Sequence, residues 1–270
     1  MPMDLNMLLL MVPLGLLSGL LAGLLGIGGG LVMVPVLLWW LPAHGVASAD
    51  ALHVAVATSL AAIVMTAAMS GWSHWRHGAV QLQLIAWLAP ALILGSFAAT
   101  AIVAALSRTA LQLFVAGFCL FAAWQLSRPR RAVAGQESIP TISPPWLLAG
   151  GSLIGAVSAA VGIGGGSLTV PFLAWRGVSL PRAIATSAVC GLPIALAGSV
   201  GYLAQPTAPG LGWGGIGLVA LPVALTLGLA SLITAPLGAK LAHRLPVLVL
   251  RRIFSALLAL IALLLFSGAR

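Results

Sequence analysis

Long apolar runs separated by short polar stretches make up almost the whole chain. They cover residues 7–25, 31–41, 52–71, 82–106 and 110–127. Past a basic linker at 128–145 come 146–161, 167–175, 183–204, 214–239 and 247–268. A hydrocarbon core of about 30 Å needs roughly 20 helical residues, so runs such as 82–106 predict transmembrane helices. The pieces 31–41 and 167–175 are different. At 1.5 Å per residue, 167–175 reaches only about 14 Å before it meets Arg176. It cannot cross alone.

Each short piece follows a glycine break. The first is Gly26-Ile27-Gly28-Gly29-Gly30, with Pro35 four residues on from Leu31; the second is Gly162-Ile163-Gly164-Gly165-Gly166, with Pro171 in the same place. Each is followed by an Ala-Thr-Ser triplet, Ala57-Thr58-Ser59 and Ala185-Thr186-Ser187. Glycine costs a helix about 1 kcal/mol relative to alanine. In an apolar segment three together free backbone groups that lipid cannot satisfy. The repeated order predicts an internal duplication: residues 1–127 as a first membrane repeat, 128–145 as a basic cytoplasmic linker, and 146–270 as a second repeat.

Composition fixes the class. The chain is 61% hydrophobic and 6% charged, with a mean hydropathy of +1.16; soluble domains carry about 25% charged residues. It reads as an all-α integral membrane protein. The net charge of +9 does not point to nucleic acid, because the cations sit in short loops between apolar runs, not on a soluble basic patch. The acids are Asp4, Asp50 and Glu137, all outside the apolar spans. Cys119 and Cys190 lie inside apolar runs, so no disulfide is expected. No Lys or Arg precedes the first run, which argues against a cleaved signal peptide.

Loop charge bears on how the broken segments run, since Lys and Arg gather on the cytoplasmic side. If both segments crossed as kinked spans, the cations would divide almost evenly. If both are re-entrant hairpins, ten of the twelve fall on one side, leaving only Arg108 and Arg270 on the other. The hairpin reading is favoured. Each half is then a glycine-broken helical hairpin plus three transmembrane helices. That is an odd unit, which makes the halves an inverted repeat with both termini extracytoplasmic. The two glycine tips would meet near the midplane, as in transporters built on broken helices.

The chemistry expected there is anion binding. A helix that starts at a break presents free N–H groups and a positive dipole end, a ready anion site. The expected substrate contacts are Gly28, Gly29, Gly30 and Leu31 from the first tip, and Gly164, Gly165, Gly166 and Ser167 from the second. Thr58, Ser59, Thr186 and Ser187 add hydroxyls. Gly26, Pro35, Gly162 and Pro171 serve as structural breaks. Intramembrane cation and proton sites generally use acids, and the apolar runs hold none, so a small anion is the expected partner. His53 and Arg182 are candidates for proton or anion access. A competing reading is that the glycines only let helices pack closely and the hydroxyls bond back to their own helices.

Several features carry less. Trp72, His74, Trp75, Arg76 and His77 read as an interfacial loop, because a metal site needs more ligands; no metal or other cofactor is expected. The Gly26-x-Gly28-x-Gly30 spacing lacks the soluble βαβ unit of a dinucleotide site. No nucleophile–base pattern is present, so the chain is not read as an enzyme.

The doubled Gly-Ile-Gly-Gly-Gly-(x)4-Pro motif, each copy followed by Ala-Thr-Ser, resembles the TauE/SafE family of membrane permeases over essentially the whole chain. The resemblance implies a secondary transporter in the bacterial inner membrane. It would export sulfite, sulfonates or related organosulfur anions, driven by the proton motive force or the anion's own gradient. Proton coupling and a homodimer are left open. The alternatives are a passive anion channel and a membrane assembly or sensor protein that moves nothing.

Overall fold

The computed structural model describes residues 8–25, 29–127, 142–212, 214–241 and 247–268. Gly26 and Gly28 of the first break, and most of the basic linker, lie outside the described residues. Among the described residues ten helices follow one another: α1 (Met11–Leu25), α2 (Gly30–Ala43), α3 (Ala51–Arg76), α4 (Leu82–Ala105), α5 (Arg108–Ser127), α6 (Pro144–Val161), α7 (Gly166–Trp175), α8 (Leu180–Leu203), α9 (Leu221–Leu241) and α10 (Val247–Gly268). Between α8 and α9 a two-residue antiparallel ribbon pairs β1 (Gly215–Ile216) with β2 (Val219–Ala220).

Helices α3, α4, α6, α8 and α9 are long and apolar enough to cross a membrane. Their outer faces suit lipid: on α4, Leu94 is 69% exposed, and Phe97 and Ile102 are exposed beside it. Interior faces are close-packed around Leu37, Leu52, Leu60, Ile63, Leu92 and Tyr202, all fully buried.

The run expected to be helical from 214 begins as the ribbon, and helix α9 starts only at Leu221. Gly212, Gly214 and Gly217 all take positive φ, a conformation no right-handed helix contains. Hydropathy alone does not register that interruption.

The second broken segment doubles back on itself. The Arg176 guanidinium at the end of α7 lies 4.4 Å from the ring centroid of Trp146 at the start of α6. A continuous helix would separate them by about 45 Å. Gly150 on α6 also faces the Phe172 ring on α7. In the first segment Gly29 folds against Ser18, in the middle of α1.

Helix directions follow from pairs in contact. Gly71 lies against Val189 while Gly198 lies against Leu60, so α3 and α8 run antiparallel. Gln112 Nε2 donates to the Leu265 carbonyl (2.7 Å), and Ser255 Oγ donates to the Ala123 carbonyl (2.7 Å), so α5 and α10 are antiparallel too. In contrast, Gly15 meets Leu227 and Gly23 meets Ala235, so α1 runs parallel to α9. Gly151 meets Leu88 and Gly155 meets Leu92, so α6 runs parallel to α4. Each of these contacts has a counterpart when the first five helices are exchanged with the last five.

Candidate functional site at the glycine breaks

Both breaks end in the same backbone device. Gly29 (φ 72°, ψ −14°) caps α2 and Gly165 (φ 74°, ψ −11°) caps α7. An L side chain in this left-handed region is strained by roughly 1–2 kcal/mol, which accounts for glycine at both positions. Neither helix has a side-chain cap at its N-terminus. Pro35 and Pro171 fall within α2 and α7.

The tips touch. A Cβ on Gly30 would overlap the carbonyl oxygen of Gly162, and that oxygen accepts a hydrogen bond from Ser59 Oγ at 2.9 Å. Gly30, Leu31, Ser59, Gly164, Gly165, Gly166, Ser167 and Ser187 are all buried. The structure therefore brings Gly30 and Ser59 to the second break.

The two threonines do something else. Thr58 Oγ1 accepts the Ala220 N–H at 3.0 Å, and Thr186 Oγ1 accepts the Gln81 N–H at 3.1 Å. Ala220 and Gln81 immediately precede α9 and α4, whose first N–H groups lack helical partners. Each threonine thus caps, across the fold, a helix of equivalent rank in its own half. This role had no signal in the sequence, because the capped N–H belongs to a residue 105 or 162 positions away.

Around the breaks lie hydroxyls with no hydrogen-bond partner. Ser18, Ser158, Ser167 and Thr169 are buried, and their side-chain oxygens bond to nothing. A Cβ on Gly165 would stand 3.4 Å from Ser158 Oγ and 3.5 Å from Thr169 Oγ1. Ser70 Oγ, also unpartnered, lines a small cavity of about 10 Å³ with Gly164, Ser187 and Gly191. An unsatisfied buried hydroxyl costs about 1–3 kcal/mol, and native proteins leave few. Four of these hydroxyls lie beside the two breaks, Ser18 against Gly29 and Ser158 and Thr169 against Gly165, with Ser167 at the start of α7, a neutral, donor-rich setting suited to a small anion. The cavity has room for no more than one water.

His53 is buried, with Nε2 3.2 Å from the Leu106 carbonyl; it lies away from the tips, near the N-terminal end of α3. Arg182 is half-buried one turn before Thr186 on α8. Arg76 stacks over Trp72 (5.0 Å to the centroid) at the end of α3. Among the described residues no group of three His, Cys, Asp or Glu side chains could hold a metal ion.

The chain matches the family model described as sulfite exporter TauE/SafE over residues 11–265. It belongs to the TauE/SafE family. It is 34% identical over 265 residues to a probable membrane transporter protein of Haemophilus influenzae, covering 96% of this chain and 97% of that one. A probable membrane transporter protein of Methanocaldococcus jannaschii is 26% identical over 261 residues, covering 94% and 93%. No solved structure is significantly similar. Family membership over this length, together with five apolar membrane-length helices, makes this TauE/SafE protein a multi-pass membrane transporter.

Proposed function

We propose that the protein exports a small organosulfur or sulfur-oxyanion substrate, such as sulfite or a sulfonate, across the cell inner membrane by alternating access. The observation that carries this reading is the set of buried, unpartnered hydroxyls at two glycine breaks that touch. Backbone N–H groups at Gly29–Leu31 and Gly164–Ser167 replace the anion's water from two sides. Ser59, Ser158, Ser167 and Thr169 supply hydroxyl donors. The opposed directions of α3 against α8 and of α5 against α10 support an inverted repeat of residues 1–127 and 146–270. In that arrangement 128–145 is cytoplasmic and both termini extracytoplasmic.

Because the cavity beside Gly164 is too small for an oxyanion and Gly30 already meets the Gly162 carbonyl, binding requires one hairpin to move from the other. Opening toward alternate sides is then a rocking of hairpins about the Gly30–Gly162 contact. A neutral cradle binds an anion without a fixed countercharge, so release does not require breaking an ion pair.

Flux in proteoliposomes tests this. Saturable, counterflow-competent transport of sulfite or a sulfonate, lost in Gly165→Leu with the variant still inserted, is the expected result. In that variant the new side chain must enter the left-handed region and meet Ile194. Non-saturating conductance would instead indicate a channel. Absence of flux across sulfite, sulfate, sulfonates and chloride would indicate a protein that does not transport these ions. Either result overturns the carrier reading.

A further inference from the structure

A second chamber, far larger than the space between the tips, has no part in the proposal above. It measures about 540 Å³ and lies between the N-terminal end of α3, the C-terminal end of α4 and the connection that leaves α8. This volume is within the range of small-molecule sites. Asp50, His53, Arg108, Gln205, Thr207 and Leu218 are among the residues that line it.

Two opposite charges face this chamber, and neither is consumed by the fold. Asp50 is the only acid among the described residues, in a chain with three acids in all. It occupies the N-cap position of α3, where a carboxylate ordinarily accepts a helix N–H. Here its side chain makes no such bond. Arg108, exposed at the first turn of α5, lines the same chamber. Among the described residues no ion pair joins the two. The other polar groups are differently engaged. Thr207 Oγ1 accepts the Gly217 N–H at 3.3 Å, and Gln205 Nε2 donates at 3.4 Å to the Gly201 carbonyl. His53 Nδ1 is buried without a partner.

The charges select among ligands. A simple anion gains from Arg108 but is repelled by Asp50, and a simple amine meets the reverse. A small molecule with an acid group at one end and an ammonium at the other gains from both. We infer that this chamber binds a small zwitterion, an amino-sulfonate or amino acid, with its acid group at Arg108 and its ammonium at Asp50. Leu218 and the alanines Ala101, Ala104 and Ala105 supply an apolar wall for the carbon linker. The chamber lies at the end of the fold that carries Arg108, beside the N-terminal end of α5. It is therefore a recognition site on the extracytoplasmic face if the proposed orientation holds, and its ligand need not be the exported anion.

Calorimetry on the full chain in lipid nanodiscs tests the inference with three probes of matched size: 2-aminoethanesulfonate, ethanesulfonate and ethylamine. The zwitterion is expected to bind at least tenfold more tightly than either singly charged probe. Asp50→Asn should remove that advantage, bringing 2-aminoethanesulfonate and ethanesulfonate to similar Kd values, and Arg108→Gln should weaken the zwitterion about tenfold or more. A merely structural role for Asp50 would not change the ranking of the probes. Equal affinity of folded wild-type protein for zwitterion and anion, no zwitterion binding, or an unchanged ranking in Asp50→Asn would overturn it. Gly165→Leu separates the two sites: it should abolish anion flux and leave zwitterion binding at the chamber intact.

Discussion

Gly30 and Gly162 meet backbone to backbone, so that no side chain could stand at Gly30 without displacing the Gly162 carbonyl. Ser59 Oγ fixes the same carbonyl at 2.9 Å. One oxygen thereby joins the first break, the second break and α3. Gly30→Ala should lower the thermal unfolding temperature of the purified protein. Gly117→Ala, where a Cβ would meet nothing within 4 Å, should leave it unchanged or raise it, since alanine is the better helix former by up to about 1 kcal/mol. Ser59→Ala should cost about 1 kcal/mol, the worth of an ordinary hydrogen bond, or more because the carbonyl is buried. Equal behaviour of the two glycine variants would mean that the tips are not in contact.

The paired threonines make a prediction of their own. Thr58→Val and Thr186→Val keep the shape but leave the buried Ala220 N–H and the half-buried Gln81 N–H without an acceptor. Each should cost about 1–3 kcal/mol, measured as loss of folded protein in a denaturant or thermal series. The two effects should be similar in size, because the contacts are equivalent in the two halves. A large loss in one and none in the other would contradict that equivalence.

Orientation can be read with engineered cysteines, since Cys119 and Cys190 are both buried and give little background. Ala43→Cys, at the end of α2, should react with an impermeant thiol reagent from the extracytoplasmic side. Ser179→Cys, before α8, should react from the cytoplasm. Cytoplasmic labelling at position 43 would sink the hairpin topology.

Much of this was legible in the sequence because it depends on local chemistry. The piece expected at 167–175 is helix Gly166–Trp175, bounded by glycines that need positive φ and by Arg176. The doubling back at Gly162–Gly166, which sets Arg176 against Trp146, falls at the glycine triplet that a helix does not hold. What was not legible depends on long-range partners. The serine of the first triplet reaches a glycine break, while the threonine beside it caps α9. Alternating helical directions separate the two, and the sequence does not say which neighbour lies on which face. The ribbon at Gly215–Ala220 was hidden by its apolar composition. Asp50 and Arg108 looked like unrelated loop charges until folding set them around one chamber.

The proposed transport site is the space between the two glycine breaks. Ser167→Cys addresses this directly, because Ser167 is 6% exposed with an unpartnered hydroxyl at the start of α7. Thiol labelling would be measured from each side of the membrane, with and without sulfite or a sulfonate. The prediction is slow labelling from both sides, as the hairpins open in turn, with the transported anion protecting from both. Labelling from one side only, or labelling that the anion does not affect, would contradict a shared site between the glycine breaks.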